Sequence, residues 1–555
     1  MSVEAEQQAE AFRLADSAVE RLIALDPCTA TELGVIDPAG RLTDFSPAGI
    51  EQRRIAVQEI LEQVAQTRYP ADQTAGITMA VMSERLGNLV DMAAAGDYLN
   101  DLNILASPPH AIRMALELLP PDTATATVIG RLNAVPAALS GWRESLELGV
   151  ANGIPAAQRQ ALAVAEQLAT FSSDWIPQFV SARSGEEADP ALLAAAERAS
   201  AAFADSATWL RDVYEQSARR SDAVGAQTYA RKARAWLGDD LDLAETYAWG
   251  WQELARVSKE LRETAAEILP GVPIGEVKES LDQNPDYQLQ GVPALTEYLS
   301  ELTISATDDL DGAVFDIPAA VRRCDVKIAP QGAAAAPYYV PPSEDLSRPG
   351  STWYPTRGKT EFPRWWLVGV WYHEGVPGHH LQFGMAAVNT DNLSRFQRTF
   401  GWTAGHAEGW ALYAERLMAE LGYLSDPALR FGMLSAQVMR AARVVLDIGM
   451  HLELAVPEGH PRAGQVVDAA FARRMLVEEA MLEPEFAASE VDRYLGLPGQ
   501  AIAYKVGERD WFALRAQAQE HLGPAFDLKD WHTFALSHGP MGLGPFRSLM
   551  QRHYA

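Results

Sequence analysis

Apolar residues recur along most of this chain at three- and four-residue intervals, the spacing that lines one face of an α-helix. In the first half the segments so patterned are 1–25, 46–67, 77–98, 109–119, 124–149, 155–172, 189–217, 222–236 and 242–268, all rich in Ala, Leu and Glu. Their breaks are Asp26-Pro27, Tyr69-Pro70, Ser107-Pro108-Pro109 and Leu119-Pro120-Pro121. Proline lacks the N–H a helix needs and pushes the residue before it away from helical angles. Ser46, just ahead of Pro47, has the chemistry of an N-cap. No fixed-period repeat emerges, which argues against a solenoid.

Near Gly271 the texture changes. Val314–Ile317, Val326–Ala329 and Tyr338–Val340 are short pieces of β character bounded by prolines. Helical patterning returns over 361–374, 403–421, 426–454, 465–480, 484–495, 498–521, 527–537 and 541–552. The expected fold is mainly α: a large multi-helix enclosure of two lobes around a deep cleft, with a small β-sheet next to the helices that carry the chemistry. The natural division is a helical region 1–270 and a second region 271–555, or one integrated unit of both. The sheet's edge could pair with an extended peptide, or the sheet could simply cover the core.

Composition narrows the partners. Apolar residues at 48% suffice for a large core, and 46 basic against 74 acidic residues give a formal charge of −28. That balance excludes nucleic acid and anionic membrane surfaces as partners. Cys28 and Cys324 are too few for a disulfide framework or a cysteine metal site. The amino terminus is acidic and polar, and no apolar run of about 18 residues could span a bilayer. The expectation is a cytoplasmic monomer or homodimer.

The histidines change the picture most. His373, His379, His380, His406 and His451 are among the chain's 11 histidines and crowd into one short window. His373-Glu374 resembles the start of H-E-x-x-H, in which two imidazoles one turn apart hold a metal and the Glu serves as base. Here Gly375-Val376-Pro377-Gly378 intervenes before His379-His380. On an unbroken helix His379 would point about 120° away from His373, and His380 would sit about 10 Å further along. The helix must therefore break at Pro377, and a second short helix starting near Gly378 can return an imidazole to His373. His379 needs the smaller insertion; His380 is the alternative ligand or a residue behind the site. Phe362, Trp366, Val370 and His373 share a stripe, so the histidine continues a buried aromatic face.

Glu408 is the candidate third ligand. It lies on a largely apolar stripe with Ala404, Ala411, Leu412 and Glu415, where a carboxylate needs a cation to meet it. Glu415, two turns on, could hydrogen-bond a ligating imidazole. His406 points elsewhere on that helix and suits packing or capping. Arg440, Arg443, Asp447 and His451 form another stripe. It is either a salt-bridged face with Arg443 and Asp447 paired, or a site where an arginine holds a substrate carboxylate and His451 donates to an oxyanion.

The segments H-E-G-V-P-G-H-H-L-Q at 373–382 and A-E-G-W-A-L-Y-A-E at 407–415 resemble the hallmark of a large bacterial family, domain of unknown function 885. Ala336-Pro-Tyr338-Tyr339, Arg440-Ala-Ala-Arg443 with Asp447-Ile-Gly-Met-His451, and Pro498-Gly-Gln-Ala-Ile-Ala-Tyr504-Lys505 extend the resemblance; Gly542-Leu543 departs from an expected Pro-Leu pair. The family is similar to helical zinc peptidases of the thimet oligopeptidase and Taq carboxypeptidase kind. The resemblance implies a Zn²⁺-dependent hydrolase of short peptides, with the ion on His373, His379 and Glu408 and with Glu374 as general base. It favours Tyr504, and with it Lys505, as a group stabilising a tetrahedral intermediate over a mere helix-surface pair, and it places Tyr338 and Tyr339 near substrate. A non-peptide substrate, or an inert helical binding protein, is the alternative.

Overall fold

The computed structural model describes residues 2–184, 189–329, 336–344 and 346–554. The chain is mainly helical, as its patterning predicts. Helix starts follow cap chemistry: Ser46, Asp242, Asp426 and Asp527 each accept a hydrogen bond from an amide of the first turn, and Pro47 and Pro427 occupy first-turn positions where no N–H is needed. Gly238, in the left-handed region at φ 70°, ends helix Gly225–Leu237.

Two small sheets occur among the described residues. In one, Gly350–Tyr354 is central, with Cys324–Ile328 parallel on one side and Tyr338–Val340 antiparallel on the other. In the other, Gln288–Gln290 pairs antiparallel with Glu361–Pro363. Two expectations are corrected and one strand is added. Val314–Ile317 forms no strand and contributes only an isolated bridge between Phe315 and Asp311. The central strand Gly350–Tyr354 was not expected. The helix expected from 361 begins at Arg364, because Glu361–Pro363 is engaged with Gln288–Gln290. Helices Ile274–Gln283 and Gly291–Leu310 fill a region left unassigned by pattern. Residues 330–335 of the β-like stretch lie outside the described residues.

The core is in two main parts. One, lined by Leu102 to Ala218, is built from Pro108–Glu117, Thr125–Ala151, Gln158–Thr170 and Pro190–Asp212. The larger joins the first three long helices to most of the chain from Gly225 onward, with a small third cluster around Leu295, Phe362 and Trp371. A boundary at 270 would therefore cut through the larger core. Helix Leu243–Ile268 lies along helix Pro427–Leu452, and a Cβ on Gly250 would stand 2.7 Å from Val444 Cγ1, so only glycine allows that approach.

A second close crossing matters more for chemistry. Helices Ala404–Glu420 and Ala503–Leu522 touch through backbone: a Cβ on Gly507 would fall 1.9 Å from Gly405 O, and one on Gly409 2.4 Å from the carbonyl carbon of Gly507. This contact sets Tyr504, one turn before Gly507, beside the turn that bears Glu408. Thr403 Oγ1 caps the first of these helices by accepting from His406 N, and donates to Met541 O at 3.1 Å. Among the described residues no helix is long and apolar enough to cross a membrane.

Candidate metal centre

Helix Arg364–Glu374 is capped by Gly375, and helix His379–Val388 begins four residues after that cap. The four residues between them fold into a tight turn, with Gly378 N donating to Tyr372 O at 3.0 Å and His380 N to Gly375 O at 3.1 Å. Gly378 is obligatory: a Cβ there would lie 1.9 Å from the carbonyl of His373. The inserted turn thus carries the second helix back over the end of the first. The imidazoles of His373 and His379 meet nearly perpendicular, with ring centroids 4.8 Å apart.

Glu408 Oε2 completes the group, 3.2 Å from His373 Nε2 and 3.6 Å from His379 Nε2. One potential ligand atom from each residue lies within 4.8 Å of the others. Zinc bonds of about 2.0–2.1 Å in a tetrahedron put neighbouring ligand atoms about 3.3 Å apart, so separations of 3.2 and 3.6 Å suit a shared ion. Glu408 Oε2 is buried and makes no hydrogen bond, an arrangement that costs free energy unless a cation occupies the gap. Two imidazoles and a carboxylate favour Zn²⁺ over Mg²⁺ or Ca²⁺. The residues present therefore fit the ion. His373 is buried, whereas the Glu408 side chain keeps 20% of its surface exposed, so the group is reached from the Glu408 side.

Electrostatics bind the cluster together in the metal-free chain. Burial pushes the Glu408 carboxyl up, but the imidazoles of His373 and His379 beside it hold it well below the usual carboxylate range. Burial and Arg440 pull His373 down, yet Glu408, Glu415 and Glu374 raise it to about 9. Glu374 Oε1 stands 3.9 Å from His373 Nε2. Burial raises its carboxyl, against the attraction of His373 and His379.

Behind the imidazole, Glu415 Oε1 lies 2.9 Å from His373 Nδ1. Arg440 Nη1 is 2.9 Å from the same oxygen, and Gln437 Nε2 donates to Glu415 Oε2 at 3.1 Å. Burial raises the Glu415 carboxyl, but Arg440 and these donors hold it below its ordinary value. Tyr504 lies over Arg443, whose guanidinium is 4.7 Å from the ring centroid. Burial, reinforced by the Glu408 carboxylate, pushes the Tyr504 phenol up to about 12, so it remains a donor.

Several residues read from sequence are placed elsewhere. His380 cannot serve as the alternative ligand: Nε2 donates to Val321 O at 2.7 Å, and the bare Nδ1 accepts from Tyr339 Oη at 3.0 Å. Burial pulls it down to about 4, so it stays neutral. Tyr338 stacks on Trp353 rather than on the centre. His406 accepts from Gln382 Nε2 at 3.2 Å and packs against Trp511 and Phe546. His451 is not an oxyanion donor here. It is fully buried on Tyr229, donates to Tyr494 O at 3.0 Å, and sits about 16 Å along the helix from Arg440.

Neither arginine is free for a substrate carboxylate. Arg440 is held by Glu415, and Arg443 donates to Glu490 Oε2 at 2.8 Å. Arg443 does not pair with Asp447, which accepts from Tyr229 Oη and Gly499 N at 2.8 and 2.9 Å. Lys505 does not face the centre: fully buried, it pairs with Glu253 at 2.7 Å and with Glu508, and donates to Gln437 Oε1 at 2.9 Å. Gln437 escaped the sequence reading. It sits three residues before Arg440 on the same stripe, which was the one available signal. Phe383 and Trp402 also went unread; their rings stack at 3.7 Å, and Phe383 is edge-on to His379 at 5.7 Å.

A family model described as "Bacterial protein of unknown function (DUF885)" matches residues 27–550. The crystal structure of "the putative lipoprotein from Colwellia psychrerythraea" aligns with a TM-score of 0.83 at 23% identity, covering 99% of each chain. The structure of "a putative lipoprotein of unknown function from Shewanella oneidensis" aligns at 0.74 and 18% identity, covering 97% of this chain and 99% of that one. No curated protein matches. At these identities the likeness shows a shared fold. The expectation of a cytoplasmic location is corrected by both neighbours, which are described as lipoproteins. Burial pushes the thiols of Cys28 and Cys324 up to about 11 and 12, leaving little reactive thiolate to oxidise.

Proposed function

The chain belongs to the DUF885 family, and from that footing we propose that it is a zinc-dependent hydrolase that cleaves amide bonds in short peptides. The observation that carries the reading is the convergence of His373, His379 and Glu408, with Glu374 at its edge. It has the ligand logic of helical zinc peptidases whose set is two histidines and one glutamate. The ion, when bound, supplies Lewis acidity, lowering the pKa of a water towards about 7 and polarising a carbonyl.

The chain's own residues do the rest. Glu374, buried and with its carboxyl raised, is tuned to take a proton from the attacking water and return it to the leaving amine. The Tyr504 phenol, kept protonated, is a donor for the oxygen on which charge develops. Phe383 and Trp402 form an aromatic wall beside His379 that excludes water and accepts an apolar side chain. A centre this enclosed by helices admits short peptides and turns folded proteins away.

The reading is tested by metal analysis of the purified protein, an oligopeptide panel, and Glu374→Gln. One zinc per chain, hydrolysis by the wild type, and retained zinc with turnover lost in Glu374→Gln are expected. Full activity in that variant, or one zinc per chain with no hydrolysis of any peptide, overturns it.

A further inference from the structure

Lys505, Gln437, Glu415 and His373 form one continuous buried chain of hydrogen bonds from four helices, and none of them is more than 3% exposed. Its direction is set at the Lys505 end. Glu253 and Glu508 flank Lys505 Nζ, which donates to Gln437 Oε1 at 2.9 Å. A lysine ammonium has donors only, so the Gln437 amide must turn its oxygen to Lys505 and its NH₂ to Glu415. The flipped amide would set NH₂ against ammonium and oxygen against carboxylate, two repulsive contacts in a dry interior.

Glu415 then accepts from Gln437 at 3.1 Å and from Arg440, which keeps it ionised and without a proton to give. His373 Nδ1, 2.9 Å from Glu415 Oε1, carries the hydrogen, since the other group near it, Arg440 Nη2, stands further off at 3.4 Å and is itself drawn to Glu415. When the imidazole gives up its second proton to an ion, its lone pair is therefore on Nε2, the nitrogen 3.2 Å from Glu408 Oε2. His379 has no such support, since its Nδ1 is buried without a partner.

We infer that Lys505 is a positioning residue: through Gln437 and Glu415 it fixes the tautomer and ring orientation in which His373 offers Nε2 to the ion. The inference rests on the metal-centre reading above and gives Lys505 a role remote from substrate. Groups behind a metal-bound histidine change affinity by about ten- to a hundredfold when removed.

The test is Zn²⁺ affinity, by competition with a chromophoric chelator, and the Co²⁺ d–d absorption of wild type, Gln437→Met and Lys505→Met. Gln437→Met is the informative variant. It deletes the relay while leaving Lys505 paired with two carboxylates and Glu415 with Arg440, so its metal-free melting temperature stays near that of wild type. Zinc binding weakened about tenfold or more in Gln437→Met, with a displaced Co²⁺ band, is expected. Lys505→Met is expected to match it; where loss of the ammonium between Glu253 and Glu508 prevents folding, Gln437→Met decides alone. Wild-type affinity and an unchanged Co²⁺ band in Gln437→Met overturn the inference. A wild type that takes up neither ion instead removes the metal-centre reading, and this inference with it.

Discussion

Glu415 Oε1 lies 2.9 Å from His373 Nδ1, on the side of the ring opposite the nitrogen that meets Glu408. A carboxylate so placed holds the ring at one angle and makes Nε2 more basic. It does so from a fully enclosed position, shared only with Arg440 and Gln437. Glu415→Gln should lower Zn²⁺ affinity about ten- to a hundredfold, because an amide can aim NH₂ at Nδ1 and favour the wrong tautomer. It should also destabilise the metal-free chain, since the buried Arg440 guanidinium loses its counter-charge, a change worth about 3–5 kcal/mol. Chelator competition and chemical denaturation measure the two effects. Unchanged zinc affinity would detach Glu415 from the centre.

Tyr504 offers a cleaner separation of binding from chemistry. Its ring rests on Arg443 and its environment keeps the phenol protonated, yet it is not one of the converging ligand residues. Tyr504→Phe keeps the ring and the cation–π contact and removes only the donor. Zinc content and melting temperature should stay at wild-type values while kcat on a cleaved peptide falls about 10²–10³-fold. A loss confined to KM would make Tyr504 a substrate-binding group instead.

How far the sequence exposed this arrangement varied with the range of the interactions. Helix ends were legible because Ser46, Asp242 and Asp426 act within one turn of themselves. The inserted turn at Gly375–Gly378 was legible because proline cannot continue a helix and because the imidazoles flank it. What could not be read was which partner a buried charge would choose. Arg443 prefers Glu490, 47 residues away, to Asp447 on its own helix, and Lys505 turns to Glu253 on a helix from the other half of the chain. Strand Gly350–Tyr354 was hidden for a related reason. Its Gly-Ser-Thr start lacks an apolar alternation, and Gly350 is needed where a Cβ would lie 2.1 Å from Tyr339 Oη.

Asp447 gives a prediction about pH that lies outside the metal centre. It is buried among Tyr229, Gly499 N, His451 and the more distant Arg493, with Oδ1 lacking a hydrogen bond. Burial pushes its carboxyl up to about 7, despite the lowering contributions of Tyr229, Gly499 and Arg493. Between about pH 4 and 7 the folded chain therefore holds a proton that the unfolded chain has released. The stability from this group is complete below about pH 4 and lost as pH rises through about 7. Asp447→Asn keeps an acceptor for Tyr229 and Gly499 without the charge. Its stability relative to wild type should improve steadily from pH 4 to 8, read from urea midpoints at each pH. A gap independent of pH would mean that Asp447 titrates normally.

Metal itself should act as a stabilising ligand. Glu408 Oε2 without a hydrogen bond and the raised carboxyl of Glu374 mark a site whose charges are poorly met in the metal-free chain. An ion that binds only the folded state at a thousand times its Kd adds about 4 kcal/mol. Removing zinc with a chelator should therefore lower the melting temperature of wild type, and returning zinc should restore it. His379→Ala separates this from general ion effects. The metal-free variant loses the ring contacts of His379 and its support of Glu408, so it should melt below metal-free wild type, but it should gain almost nothing from zinc. A variant that gains as much as wild type would place the stabilising ion elsewhere and remove His379 from the centre.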